Sequence, residues 1–265
     1  HMKRLLPVLG IFVLSGCGES EISISELCET KPMICNDLMD DSHCKLERRN
    51  VIYSRFDEGK VPSDAKKYRL LLDFEKYSKC MELASGIEHI KLKEKTTQRI
   101  DSYRVSLAEI KRLSDETLSS DHPGLLYYHW SRHQSKSHLE RFLKAAEQAK
   151  FSDPDLQFAL ASHYLAERNP KAIDAMHQTL KLYKAKDRVD PEIYKTLTTA
   201  YYKQRKYIES YHWALVSQAA GVERIEFQLI IKDLDKQAFD HDKIKSIAEQ
   251  TLAQIEQGNY QPPKF

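Results

Sequence analysis

Two stretches, DPDLQFALASHYLAERNPKAIDAMHQTLKLYKAK at 153–186 and DPEIYKTLTTAYYKQRKYIESYHWALVSQAAG at 190–221, decide the reading of this chain. Each opens on Asp-Pro and an acid, Asp153-Pro154-Asp155 and Asp190-Pro191-Glu192. Each carries a tyrosine ten residues past its proline, Tyr164 and Tyr201, then breaks at a short polar turn and resumes as a second helix. Aligned on Pro154 and Pro191 the period is 37 residues, and Pro123 lies 31 residues before Pro154. Periods in this range mark stacked helical units, because one such unit cannot bury its apolar face alone. The expected class is all-α: antiparallel helix pairs stacked as a solenoid.

Working outward, the remaining glycines and prolines agree with that layout. Past Gly18, the glycines Gly59, Gly86, Gly124, Gly221 and Gly258 all fall at turns or helix ends. So do Pro32, Pro62, Pro123, Pro154, Pro170 and Pro191, or they open a helix. In a helix interior Gly costs about 1 kcal/mol and Pro about 3. C-terminal to the repeats, helices are expected over Ile225–Leu234 and Asp242–Gln257, the latter with Ile244, Ile247, Leu252 and Ile255 on one face. Gly258 suits the position just past a helix end, and Pro262-Pro263 ends the chain in extended form. N-terminal to the repeats, helices are expected over Leu125–Arg132 and His138–Lys150.

The first half reads as three more helices. Asn36 or Asp37 can cap one that runs to Asp57, with Leu38, Leu46, Tyr53 and Phe56 as its apolar positions. Ser63-Asp64 starts a second, with Leu71, Phe74, Cys80 and Leu83 on its apolar side, ending at Gly86. Ile90 and Leu92 alternate with charges and hint at a strand; beyond them Ile100, Tyr103, Leu107 and Ile110 make a helical stripe within Thr96–Leu118.

Four cysteines, Cys28, Cys35, Cys44 and Cys80, form an even set in the first third of the chain. Three pairings are open. The turn between the first two long helices centres near residue 60, so Cys44 and Cys80 come level in an antiparallel pair. That favours Cys44–Cys80 with Cys28–Cys35, a hairpin stapled by disulfides. A zinc site built from all four cysteines would need closer pairs. Paired cysteines fit an oxidising compartment.

The N-terminus reads as an address. Lys3-Arg4 precede an apolar run, Leu5 to Leu14, too short to span a bilayer as a mature helix. His1, before an initiator-like Met2, reads as a residue left by cloning. Residues 1–17 are then a signal, 18–27 a tether, 28–120 the stapled helical region, 121–258 the repeats and 259–265 an extended tail. Removing 1–17 takes away Lys3 and Arg4 and leaves equal numbers of basic and acidic residues. A neutral chain with no basic footprint does not suit nucleic-acid binding.

Histidines supply the candidate chemistry. His122, His129, His133 and His138 fall within 17 residues, and His129 and His133 are i, i+4 on one helix face. His138 can fold back towards them, and zinc, copper or nickel would suit such a set. A metal-binding protein or metal-dependent enzyme using His122–His138 is therefore the alternative function. No HExxH, GxSxG or Gly-rich phosphate loop occurs, and no cofactor is expected.

Residues Pro123 to Gly221 resemble tetratricopeptide repeats and their Sel-like relatives. Tyr194, Leu197, Tyr201 and Ser210 fall where that motif has an aromatic, Leu, Tyr and a small residue. Thr198 and Ala214 depart from it, and the first unit has a shorter turn at Asn169-Pro170. The resemblance implies a partner-binding groove formed by Phe158 and Ser162 in the first unit and Glu192, Lys195, Thr199, Tyr202 and Lys203 in the second. It makes Leu197 and Tyr201 core. Leu14-Ser15-Gly16-Cys17 resembles the bacterial lipobox, which implies diacylation of the Cys17 thiol, cleavage before it and acylation of the new amine. Gly18 after the cysteine implies the outer membrane, facing the periplasm. As a whole the chain resembles an uncharacterised bacterial lipoprotein family, domain of unknown function 2989, which implies no activity. The expected function is a non-enzymatic adaptor or envelope-complex assembly factor, anchored by lipid, whose groove holds a protein or peptide partner.

Overall fold

The computed structural model describes residues 22–87 and 92–265. The signal, Cys17 and Ile90 lie outside the described residues. The chain divides into two compact units, His1–Glu116 and Thr117–Phe265.

In the first unit, α1 (Ile24–Thr30) leads through short 3-10 turns at Pro32–Ile34 and Ser42–Cys44 into α2 (Lys45–Lys60), α3 (Asp64–Ser85) and α4 (Lys93–Glu116). α3 packs against both α2 and α4. Ser63 caps α3, its hydroxyl accepting from the Lys66 amide. Val51, Ile52, Leu70, Leu71, Phe74, Tyr77 and Met81 form the core. Disulfides join Cys28 to Cys35 and Cys44 to Cys80, with Cα atoms 5.6 and 5.8 Å apart. The second ties the start of α2 to α3, as the level positions in the hairpin require.

Four expectations for this unit are corrected. Residues 24–27, expected in the tether, belong to α1, and Leu27 is buried. The first long helix begins at Lys45, not at Asn36 or Asp37. Arginines on α2 hold the preceding chain in an irregular path instead. Arg55 donates to the Ile34 carbonyl at 3.1 Å and pairs with Asp37 at 2.7 Å, while Arg48 donates to the Leu38 carbonyl at 3.0 Å. Next, Leu46 and Leu83 are not core positions; both are exposed. Finally, the stripe of Ile100 and Leu107 on α4 is exposed too, and Tyr103 and Ile110 are only half-buried. The face that α4 buries carries Arg99, Ser102, Ser106 and Leu113. Small serines let the helix approach closely, and its polar atoms find partners. Ser102 accepts from the Met39 amide at 2.8 Å. The fully buried Arg99 donates to Asp41 at 2.6 Å and to the Ala84 carbonyl at 2.8 Å.

The second unit is a run of helix pairs: α5 (Pro123–His133) with α6 (Lys136–Gln148), α7 (Pro154–Ala166) with α8 (Ala172–Leu182), and α9 (Glu192–Lys203) with α10 (Tyr207–Ala219). Two further helices, α11 (Phe227–Leu234) and α12 (His241–Glu256), pack on α10. The Asp-Pro starts work as capping chemistry predicts. Asp153 accepts from the Asp155 amide at 2.9 Å, and Asp190 from the Glu192 amide at 3.0 Å. Each pair turns through one left-handed residue: Gln134 (φ 52), Arg168 (φ 54) and Arg205 (φ 59).

Trp213 is the centre of the packing. It is fully buried, with the Tyr194 ring stacked 6.2 Å away and His177 and Tyr260 at 6.0 and 6.3 Å. The Ser210 hydroxyl donates to the Thr198 carbonyl at 2.9 Å, so a small residue there brings α10 close to α9. The C-terminal segment docks rather than trails. Tyr260 is buried and its hydroxyl lies 2.7 Å from His177 Nδ1, while the Tyr201 hydroxyl lies 2.8 Å from Nε2. Gly258 permits that docking: its φ is +71, and a Cβ there would sit 2.4 Å from the Ala185 nitrogen.

Candidate functional site: the outer face of α9

α9 buries Ile193, Tyr194, Leu197, Ala200 and Tyr201 and turns its other residues outward. At 3.6 residues per turn, Lys195, Thr199 and Tyr202 then share one side. Together with Thr198 they form one wall of a cavity of about 250 Å³. The opposite wall is the loop after α10 and the start of α11, with Ile225, Leu229 and Ile230 supplying apolar surface and Arg224 and Glu226 charge.

The expected groove is not one continuous trough. Lys203 and Ser162 line a separate cavity of about 820 Å³, with Leu165, Ala172, Ala200 and Gln204. Phe158 is half-buried against the core cluster around Ala161 and Tyr194. Glu192 pairs with Lys195 at 2.8 Å on the exposed edge. Tyr202 ties α9 to α11: its hydroxyl donates to Asp233 of α11 at 2.7 Å. That bond raises the phenol's pKa and lowers that of Asp233. Tyr202 also meets the Tyr207 ring edge-on at 5.5 Å. Sequence reasoning missed Asp233 and the 222–230 wall. The i, i+4 pair Ile230 and Leu234 was a signal that α11 buries one face, but not of what it faces.

The histidines are brought together but are engaged elsewhere. The His129 ring lies 4.7 Å from His138 and 5.7 Å from His133, centroid to centroid. His138 has Nδ1 2.6 Å from the Ser135 hydroxyl and Nε2 3.0 Å from the Leu118 carbonyl. His129 is buried with Nε2 3.1 Å from Thr117 Oγ1. Burial, then the neighbouring His138 and His133, lowers its pKa to about 4. His122 caps α5, its Nδ1 accepting from the Gly124 amide at 3.2 Å. Among the described residues, no group of three or more His, Cys, Asp or Glu side chains is placed to hold a metal ion. None of the described helices is long and apolar enough to cross a membrane.

The family described as "Protein of unknown function (DUF2989)" matches residues 14–215, most of the chain. The chain belongs to the DUF2989 family. No curated protein and no solved structure matches it. In this DUF2989 chain the matched range ends inside α10. It contains the α9 wall of the cavity, whereas the 222–230 wall lies beyond it.

Proposed function

We propose that this DUF2989 chain is a lipid-anchored, non-enzymatic adaptor or assembly factor of the bacterial envelope, facing the periplasm from the outer membrane. Its second unit is a tetratricopeptide-like stack that holds a peptide segment of a protein partner against α9. The cavity between α9 and the 222–230 segment carries this reading. Its apolar surface suits one large apolar side chain, and the Thr198 and Thr199 hydroxyls with Lys195 and Arg224 suit the flanking peptide groups.

Three further features support it. The left-handed turn residues Gln134, Arg168 and Arg205 are 34 and 37 residues apart, a spacing that fits one repeated helix–turn–helix unit. Two disulfides fit an oxidising compartment. The Leu14-Ser15-Gly16-Cys17 quartet fits lipid attachment at Cys17.

A photo-crosslinking amino acid at the exposed Thr199, used in intact cells, tests the binding claim. We expect one discrete protein adduct, abolished when Leu229→Asp places a charge in the cavity. An adduct of unchanged yield in that variant would remove the cavity as the binding site. Fractionation of a Cys17→Ser variant tests the anchor, with release from membranes or blocked processing expected.

A further inference from the structure

The first unit exposes apolar side chains at several places, Leu46, Leu83, Leu92 and Leu107 among them, and three more lie around the end of α2 and the point where the chain enters. Met33 is 83% exposed on the 3-10 turn Pro32–Ile34, Val61 just past α2 is 65% exposed, and Ile22 is 38% exposed. The Cys28–Cys35 disulfide closes the loop that presents Met33, so a stapled turn holds an unbranched apolar side chain in the open. Lysines ring it. Lys31 and Lys60 place their ammonium groups 5.5 and 4.2 Å from the Phe56 ring centroid, and Phe56 lines the same hollow as Met33 and Lys31. Asp57 nearby is paired with Lys66 at 3.5 Å.

The chain enters the unit at this same place. Tyr53 donates to the Ile22 carbonyl at 2.9 Å. Tyr53 and Phe56 are i, i+3 on α2 and so share a face. Ile22 and the Met33 hollow are therefore neighbours. Only five residue steps separate Cys17 from Ile22, which fully extended reach about 18 Å. A bilayer holding acyl chains on Cys17 must then lie within that distance of Ile22.

We propose that this end of the first unit, Ile22, Met33 and Val61 with Lys31 and Lys60, is a bilayer-docking surface. It seats on the leaflet that holds the Cys17 acyl chains. Met33 enters the boundary between headgroups and acyl chains, and the lysines keep their charge among anionic phosphates. The inference rests on the anchoring at Cys17 proposed above. With the anchor already in place, modest contacts suffice, because the tether holds the surface at high effective concentration.

The test separates the two claims. The mature chain from Cys17 has one thiol outside the disulfides. Coupling that thiol to a maleimide lipid on anionic phospholipid vesicles supplies an anchor whether or not cells acylate Cys17. The mass of the protein recovered from membranes tests acylation separately. Met33→Trp then serves as a probe, with the emission of Trp130 and Trp213 subtracted using the parent chain. Brominated phospholipids should quench most of the added emission. The reference probe, Leu83→Trp, lies near the far end of α3, about 28 Å along the helix. It should not be quenched. Adding Lys31→Glu and Lys60→Glu should relieve the quenching of Met33→Trp. No quenching at position 33, or equal quenching at 33 and 83, would overturn the docking surface, and leave the anchor to be judged by the mass alone.

Discussion

Three buried neutral histidines make the second unit acid-sensitive, and the size of the effect follows from their surroundings. His177 sits between the Tyr260 and Tyr201 hydroxyls, with Asp174 and Lys181 as the charges acting on it; burial lowers its pKa to about 4. His212 is lowered to about 3, by burial and then by His177. The Thr251 hydroxyl donates to the Ile247 carbonyl, so His212 Nε2 donates to Thr251 at 2.9 Å, and Nδ1 is left bare and buried. His129, lowered to about 4, also has a buried Nδ1 without a partner. A proton added to either ring would create an N–H with nowhere to donate. All three folded values lie below the unfolded one, about 6.5. The unfolded chain therefore binds protons first as pH falls. Stability is full above pH 6.5 and declines down to the folded values. Between pH 7 and pH 5 each histidine loses about 2 kcal/mol, together on the order of 5–6 kcal/mol. That is comparable with the whole stability of an ordinary domain, about 5–15 kcal/mol. Urea unfolding at the two pH values measures it. Trp213 fluorescence is the probe, since its ring lies 6.0 Å from His177 and 4.9 Å from His212. Replacing His212 with Gln should flatten the pH dependence by about a third. An unfolding free energy at pH 5 within about 1 kcal/mol of that at pH 7 would refute the reasoning.

Other perturbations probe single contacts. Arg99→Met should cost about 3–5 kcal/mol, because it strands the buried Asp41 carboxylate, and adding Asp41→Asn should recover part of that in chemical denaturation. Cys44→Ser with Cys80→Ser should cost about 2–5 kcal/mol by the same measurement, with crosslinking at the α9 cavity unchanged. Gly258→Ala should lower stability by more than about 1 kcal/mol in a thermal melt, since the left-handed backbone and the approach to Ala185 both resist a Cβ.

How much of this was legible varies with the kind of force involved. The repeat pairs were readable because their signals are local: Asp153-Pro154 and Asp190-Pro191 cap and start helices whatever surrounds them. The Cys44–Cys80 staple followed from hairpin geometry alone. The buried face of α4 was not readable. Periodicity selects Ile100 and Leu107, but the packed face carries Arg99, whose burial is possible only because Asp41 and the Ala84 carbonyl come from distant parts of the chain. The start of α2 failed for a similar reason. Arg48 and Arg55 reach back to the carbonyls of Leu38 and Ile34, and helix propensity cannot register long-range donors.

The candidate site sits between these cases, and α11 decides its character. Lys195, Thr199 and Tyr202 could be placed on one side of α9 from spacing, yet what faces them is set by an eight-residue helix. A helix that short is not stable by itself in water. It holds its place through Ile230 and Leu234, which are buried against α10, and through the Tyr202–Asp233 hydrogen bond. Tyr202 is thus both a wall of the cavity and the tie that fixes the opposite wall. Tyr202→Phe separates the roles. It keeps the ring and its Tyr207 contact but removes the donor to Asp233. If the cavity needs α11 fixed, the Thr199 crosslink should weaken in Tyr202→Phe although the apolar surface is intact. If the yield does not change, the ring alone matters, and α11 is held by its buried leucine and isoleucine without help from the hydrogen bond.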